Sequence, residues 1–181
     1  MVSIALFSLA ITGVYSIQST AFRNQSIMVR KTIVENNATI LGEAMRDAAS
    51  AASYIQTPSV GSTTDELLIW SNVDPSDGST PLVAGLARTF SYFCTRNTVG
   101  FNGVYFYEGS WPLPPITCGD APPSGVSQSL VVGQEIGLTV TPTFTRAVQN
   151  ELQLAYTVQS TVGAATIVNH STKITIQNAA N

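Results

Sequence analysis

The chain has 181 residues, 10% of them charged, with a formal net charge of −3 and a mean hydropathy of +0.20. That length suits one domain, or one domain plus an extension. So sparse and acidic a charge excludes a protein that captures nucleic acid through phosphate contacts.

Residues 1–22 hold no charged side chain, and Met1–Ile17 is apolar or small almost throughout. Helical patterning then continues through Arg23 to Ile55, and the first proline is Pro58. The expectation is one helix of about fifty-five residues, on the order of 80 Å long. Globular helices usually run to about 10–14 residues, so such a length points to assembly. Three roles compete for the apolar start. A secretory signal peptide requires a basic n-region, which is missing, although Ser19-Thr20-Ala21 could pass for a cleavage site. A buried core helix that is apolar on nearly all faces needs a large protein around it. A membrane-resident segment is the favoured role, although Met1–Ile17 covers about 26 Å against a hydrocarbon core of roughly 30 Å. Ile11–Thr20, which includes Gly13, collects modest or poor helix formers and could unwind locally on demand.

From Val34 the apolar residues form a seam. Val34, Ala38, Leu41, Met45, Ala48, Ala52 and Ile55 follow at spacings of 4, 3, 4, 3, 4 and 3, one face of a helix packed on its own sheet. The charge divides at the same place, net +1 over residues 1–55 and net −4 over residues 56–181. A head rich in Ser, Thr, Asn, Gln and Gly with few charges suits an extracytoplasmic surface.

The run MVSIALFSLAITGVYSIQSTAF, followed by an amphipathic helix ending in MRDAASAASYIQTP, resembles the N-terminal helix of type IV pilins and pseudopilins. The resemblance covers residues 1–55, and the head matches by architecture alone. In that family a basic leader is cleaved before a start of the form F-T-L-x-E, and the hydrophobic text of this chain joins the pattern just after that glutamate. The resemblance therefore implies either a leader and a few further residues, the glutamate among them, upstream of Met1, or a tip subunit that lacks the glutamate. It implies a filament core built from Ile4, Leu6, Phe7, Leu9, Ile11, Val14 and Ile17, with Gly13 as a helix-melting site. Val34, Leu41, Met45, Ala48, Ala52 and Ile55 would seat the head.

Beyond the helix, Thr57–Thr64 reads as a link, Glu66–Trp70 as a short apolar run and Asn72–Pro81 as turns. Leu86–Phe93 and Gly103–Tyr107 read as strands, with Asn102-Gly103 as a turn signal. Gly109–Gly125 holds five of the nine prolines and one of the two cysteines, Cys118. With Cys94, Cys118 suits a single disulfide in an oxidising compartment, and two buried free thiols are the alternative. The bridge would close a loop of about 25 residues, worth roughly 3 kcal/mol, and would anchor the proline-rich loop. Gly137–Phe144 is a strand, followed by a turn at Ala147–Asn150. Leu152, Leu154, Tyr156 and Val158 alternate with polar or small neighbours, as a half-buried antiparallel strand does. Thr166–Ile176 continues with Ile174 and Ile176 inward. The expected fold class is α+β: a long pilin-like helix packed on a C-terminal antiparallel sheet. Its segments are an apolar helix over residues 1–22, an amphipathic helix over 23–56 and a β-rich head over 57–181.

Chemistry is sparse. His170 reads as a satisfied surface residue. Asp65-Glu66, Asp74, Asp77 and Glu108 lie in separate loops, without the pairing that acid–base catalysis or calcium loops require. No phosphate loop, metal cluster or nucleophile motif is present. Trp70, Trp111 and Tyr105–Tyr107 read as core rather than as a groove. The expectation is no enzyme, no cofactor and no requirement for nucleic acid. The chain would instead be a structural subunit of an extracellular type IV pilus-like filament. Its partners would be copies of itself, the inner membrane before assembly, the pilus assembly machinery and a prepilin peptidase. The alternatives are a minor or tip pilin, a periplasmic pseudopilin of a type II secretion or DNA-uptake system and, in another class, a membrane-anchored adhesin.

Overall fold

The structure is a computed structural model that describes residues 2–98, 101–132, 138–149, 151–160 and 166–176. The chain divides into two compact units, residues 1–33 and 34–181. Helix α1 spans Val2–Ser50. It makes up the described part of the first unit and opens the second.

In the first unit the side chains described from Ile11 onward are almost all exposed. Hydroxyls that would otherwise compete with the helix donate back to it: Thr20 Oγ1 to the Ser16 carbonyl at 2.9 Å, and Thr32 Oγ1 to Met28 at 3.1 Å. Such back-bonds let Ser and Thr sit within a helix at little cost. The backbone is helical through Gly13.

In the second unit the helix buries Val34, Ala38, Leu41, Met45 and Ala49. The expected seam position Ala48 is only half-buried. A strict 3.5-residue repeat drifts against a straight helix of 3.6 residues per turn, so by the fourth step the neighbouring residue faces the core. Ala52 and Ile55 are buried as expected, but neither lies on the helix. α1 stops at Ser50, and strand β1 (Tyr54–Thr57) replaces the last expected turn. The Ser53 backbone N–H donates to the Trp70 carbonyl at 2.7 Å, and its hydroxyl exchanges hydrogen bonds with the Val73 backbone. Pairing with a distant strand thus overrides local helix propensity.

The strands form two antiparallel sheets. The first orders β1, β3 (Leu67–Ser71), β4 (Thr89–Thr98), β5 (Phe101–Ser110) and β6 (Val126–Val132) side by side. The second orders β2 (Thr63–Thr64), β7 (Leu138–Val148), β8 (Glu151–Ser160) and β9 (Thr166–Thr175). The fold is α+β, one N-terminal helix packed on antiparallel sheets. Three expectations need correction. Asn102-Gly103 is not a turn: both residues lie within β5, paired with Asn97 and Arg96, because the reversal comes earlier, between Thr98 and Phe101. The strand expected from Leu86 begins at Thr89, after the Asn72 side chain has tied down the Val83 and Leu86 carbonyls. β1 and β2 fall where a helix end and a link were expected, and β6 follows the proline-rich loop where no element was assigned. The expected strand start at Gly137 and turn residue Asn150 lie outside the described residues.

One core joins α1 to both sheets. Leu41 and Met45 share it with Leu67, Ile69, Phe93 and Val104 of the first sheet and with Phe144, Leu152, Leu154 and Val158 of the second. The alternation read along β8 places those residues inward, and Ile174 and Ile176 are buried as well. Helix and second sheet come close at Gly42, where an added Cβ would lie 2.8 Å from the Tyr156 hydroxyl. That hydroxyl donates to the Ala38 carbonyl at 2.6 Å. Arg146 is buried although no carboxylate partners it among the described residues. Its guanidinium donates to the Ile55 carbonyl at 2.7 Å and to the Gln149 carbonyl at 2.9 and 3.2 Å.

The Asn72–Pro81 turns are organised by Asp77. The Thr80 hydroxyl and the Thr80 and Ser79 backbone N–H groups all donate to its carboxylate, which holds the Asp77 pKa at about 2, below the ordinary 3.8. A depressed pKa favours the ordered turn above the unfolded value and loses that contribution as pH falls through about 2. Carbon-detected NMR titration should find the Asp77 midpoint near 2 and return it to the ordinary range in Thr80→Ala. For the core, Leu41→Ala should destabilise by about 2–5 kcal/mol. Its exposed neighbour Ile40→Ala should stay within about 0.5 kcal/mol, both measured by equilibrium urea unfolding.

Candidate functional site

Two features stand apart from ordinary core packing: the exposed apolar surface of the first unit, and a proline-rich strap over the outer face of the first sheet.

On α1, Ile11, Val14 and Ile17 are exposed, Ile17 to 72%, together with Tyr15, Phe22 and Met28. Gly13 lies between them with open space around its Cα. Ile4, Leu6, Phe7 and Leu9 lie on the same helix, and their side chains are outside the described residues. Among the described residues of the first unit, Ile11, Val14, Tyr15 and Gln18 line a shallow, uncharged cavity of about 280 Å³. The surface of this unit suits packing against other apolar surface. Among the described residues, no helix is long and apolar enough to cross a membrane.

The strap is the stretch between β5 and β6. The first sheet is buried on both faces: Leu67, Ile69, Phe93 and Val104 face the helix, while Leu68, Trp70, Phe90, Cys94, Tyr105 and Tyr107 face the strap. Double burial explains why Glu66–Trp70 reads as a continuous apolar run rather than an alternation. Cys94 and Cys118 form a disulfide with a Cα–Cα distance of 6.0 Å. Beside it the Tyr107 hydroxyl accepts from the Gly119 N–H at 2.7 Å and from Gln128 Nε2 at 2.9 Å. Arg96 donates to the Gly119 carbonyl at 2.8 Å and to the Asp120 carboxylate at 3.0 Å. Gly119 has φ +79°, and a Cβ there would lie 2.3 Å from Arg96 Cδ, so the strap closes only over glycine. At the other end the Trp111 N–H donates to the Arg88 carbonyl at 3.0 Å, and the Arg88 guanidinium stacks 4.3 Å from the Trp111 ring centroid.

Trp70, Tyr105 and Tyr107 are core, whereas Trp111 is 40% exposed and tilts against Trp70 at 5.0 Å. His170 is exposed on β9, with its ring stacked on Tyr156 at 5.1 Å. Among the described residues no three His, Cys, Asp or Glu side chains gather where a metal ion could be held. The sequence reading passed over Tyr92. This half-buried residue on the strap side lines a cavity with Glu66, and burial and then the Glu66 charge push its phenol above the usual tyrosine range. Its position two residues before Cys94 on the same strand face was the available signal.

Searches against family models, curated proteins and solved structures find no match for this chain.

Closing a loop of about 25 residues, the disulfide should contribute roughly 3 kcal/mol. Non-reducing peptide mapping should recover a Cys94–Cys118 cross-linked peptide, and Cys94→Ser/Cys118→Ser should lower urea stability by that order.

Proposed function

We propose that the chain is a structural subunit of an extracellular, type IV pilus-like filament, assembled through the N-terminal part of α1. The observation that carries this reading is the exposed apolar surface of the first unit, on a helix that continues as a buried core element of the second. Burying one Val, Leu, Ile, Phe or Met side chain is worth roughly 1.5–3 kcal/mol. Copies of the same helix packed together would remove many of them from water at once. The resemblance of residues 1–55 to pilin helices supports the same reading.

Before assembly the helix lodges in the inner membrane by its apolar end. After processing by a prepilin peptidase, an energised assembly machine extracts it, because the bilayer already shields much of the apolar surface that the filament core would shield. Heads then form the filament surface. The subunit has no catalytic role and needs no cofactor. A minor or tip subunit, or a secretion pseudopilin, would use the same helix in the same way and differ in where its assembly stops.

Removal of residues 1–22 should give a soluble, folded monomer that does not polymerise, since Val34–Ala49 remains to cover the sheets. Size-exclusion chromatography and negative-stain microscopy read this directly. Polymerisation of the truncated chain would make the heads the assembly elements and overturn the reading. Sheared cell-surface filaments containing the intact chain by mass spectrometry are the expected positive result.

A further inference from the structure

Between the strap and the outer face of the first sheet lies a cavity of about 530 Å³, within the range of small-ligand sites. Its floor is Leu68 and Tyr92, cross-strand partners on β3 and β4. Pro114, Pro115 and Ile116 of the strap form the opposite wall. This wall is held at both ends, by the Trp111–Arg88 backbone hydrogen bond on one side and the disulfide on the other. Proline rings have few conformers to lose, so the cavity is largely preformed.

Thr57, Glu66 and Tyr92 supply the polar side chains of the lining, and of these Glu66 alone carries a charge. Glu66 is exposed and lines the cavity together with Tyr92, and Asp65 precedes it in the chain. Among the described residues neither carboxylate forms an ion pair. An anion would meet the like charge of Glu66 there, and a neutral ligand would leave that charge unanswered. A cation on an apolar stem would meet a carboxylate and the face of a tyrosine ring, both of which attract it, while the stem lies against proline, leucine and isoleucine.

We propose that this cavity binds an aliphatic ammonium group, its stem between Leu68 and the Pro114-Pro115 wall and its head between the Glu66 carboxylate and the Tyr92 ring. The volume exceeds what a four-carbon stem needs, so the group can arrive as a free amine or as a lysine side chain. This site is independent of filament assembly.

The test is an NMR titration of the full chain, followed at the Tyr92 ring and the Ile116 methyl groups. The probes are n-butylammonium, its neutral counterpart n-butanol and Nα-acetyl-lysine methylamide. Butylammonium should bind at least about tenfold more tightly than butanol, the scale of one charge-assisted contact. Glu66→Gln should erase that difference, and Tyr92→Leu should weaken butylammonium at the Ile116 methyls by about fivefold or more. Peptide mapping of the disulfide and circular dichroism report that both variants keep the fold. Equal binding of lysine amide and butylamine would show that the site reads the ammonium alone. Tighter binding of the lysine amide would make a polypeptide lysine the source. Equal affinity for butanol and butylammonium, or unchanged affinity in a folded Glu66→Gln chain, would overturn the proposal and leave an apolar cleft.

Discussion

The head depends on one face of one helix serving two sheets. Val34, Ala38, Leu41, Met45 and Ala49 are the common surface on which residues of both sheets meet. Neither sheet would have a complete core without it, because each alone would leave a row of large apolar side chains in water. Gly42 and Tyr156 set how close the helix comes. The glycine removes the side chain that would block approach, and the tyrosine hydroxyl fills the remaining gap while bonding the Ala38 carbonyl. A small residue and a large polar-tipped one thus complement each other across the interface.

The strap solves a second problem. A sheet whose three inner strands carry Trp70, Phe90, Tyr105 and Tyr107 on the face away from the helix needs a cover, and no second helix is present among the described residues. A segment rich in proline has few backbone donors to satisfy and does not form a sheet of its own. It therefore lies over the aromatic face, fastened by the disulfide, by Tyr107 and by Arg96. The cover meets the sheet closely near Cys118 and less closely near Pro114, and the cavity beside Tyr92 follows from that difference.

Local signals in the sequence were reliable where one face of an element is buried and misleading where partners decide. The alternation along β8 and the seam from Val34 to Met45 are written in periodicity, and each is one-sided. The step from Ala48 to Ala49 was missed because the seam was extrapolated at coiled-coil spacing, although this helix packs on sheets. Asn102-Gly103 carries a strong hairpin signal, yet it lies inside β5, since the pairing from Thr89 to Thr98 sets where the chain reverses. β1 and β6 exist because β3 and β5 offer them edges, and residues distant in sequence supply those edges. The cavity was illegible for the same reason: Glu66, Tyr92 and Pro114 are brought together only by strand register and the disulfide.

Arg146 has a consequence for how the head comes apart. Its guanidinium is held by carbonyls from β1 and from the corner between β7 and β8, which belong to different sheets. If either corner loosens alone, a buried cation is left with unmet donors, a state more costly than having both corners open to water. Partial fraying is therefore penalised, and the two sheets share a single melting event. A lysine could not substitute, because one ammonium cannot reach both corners with the spread of a planar guanidinium.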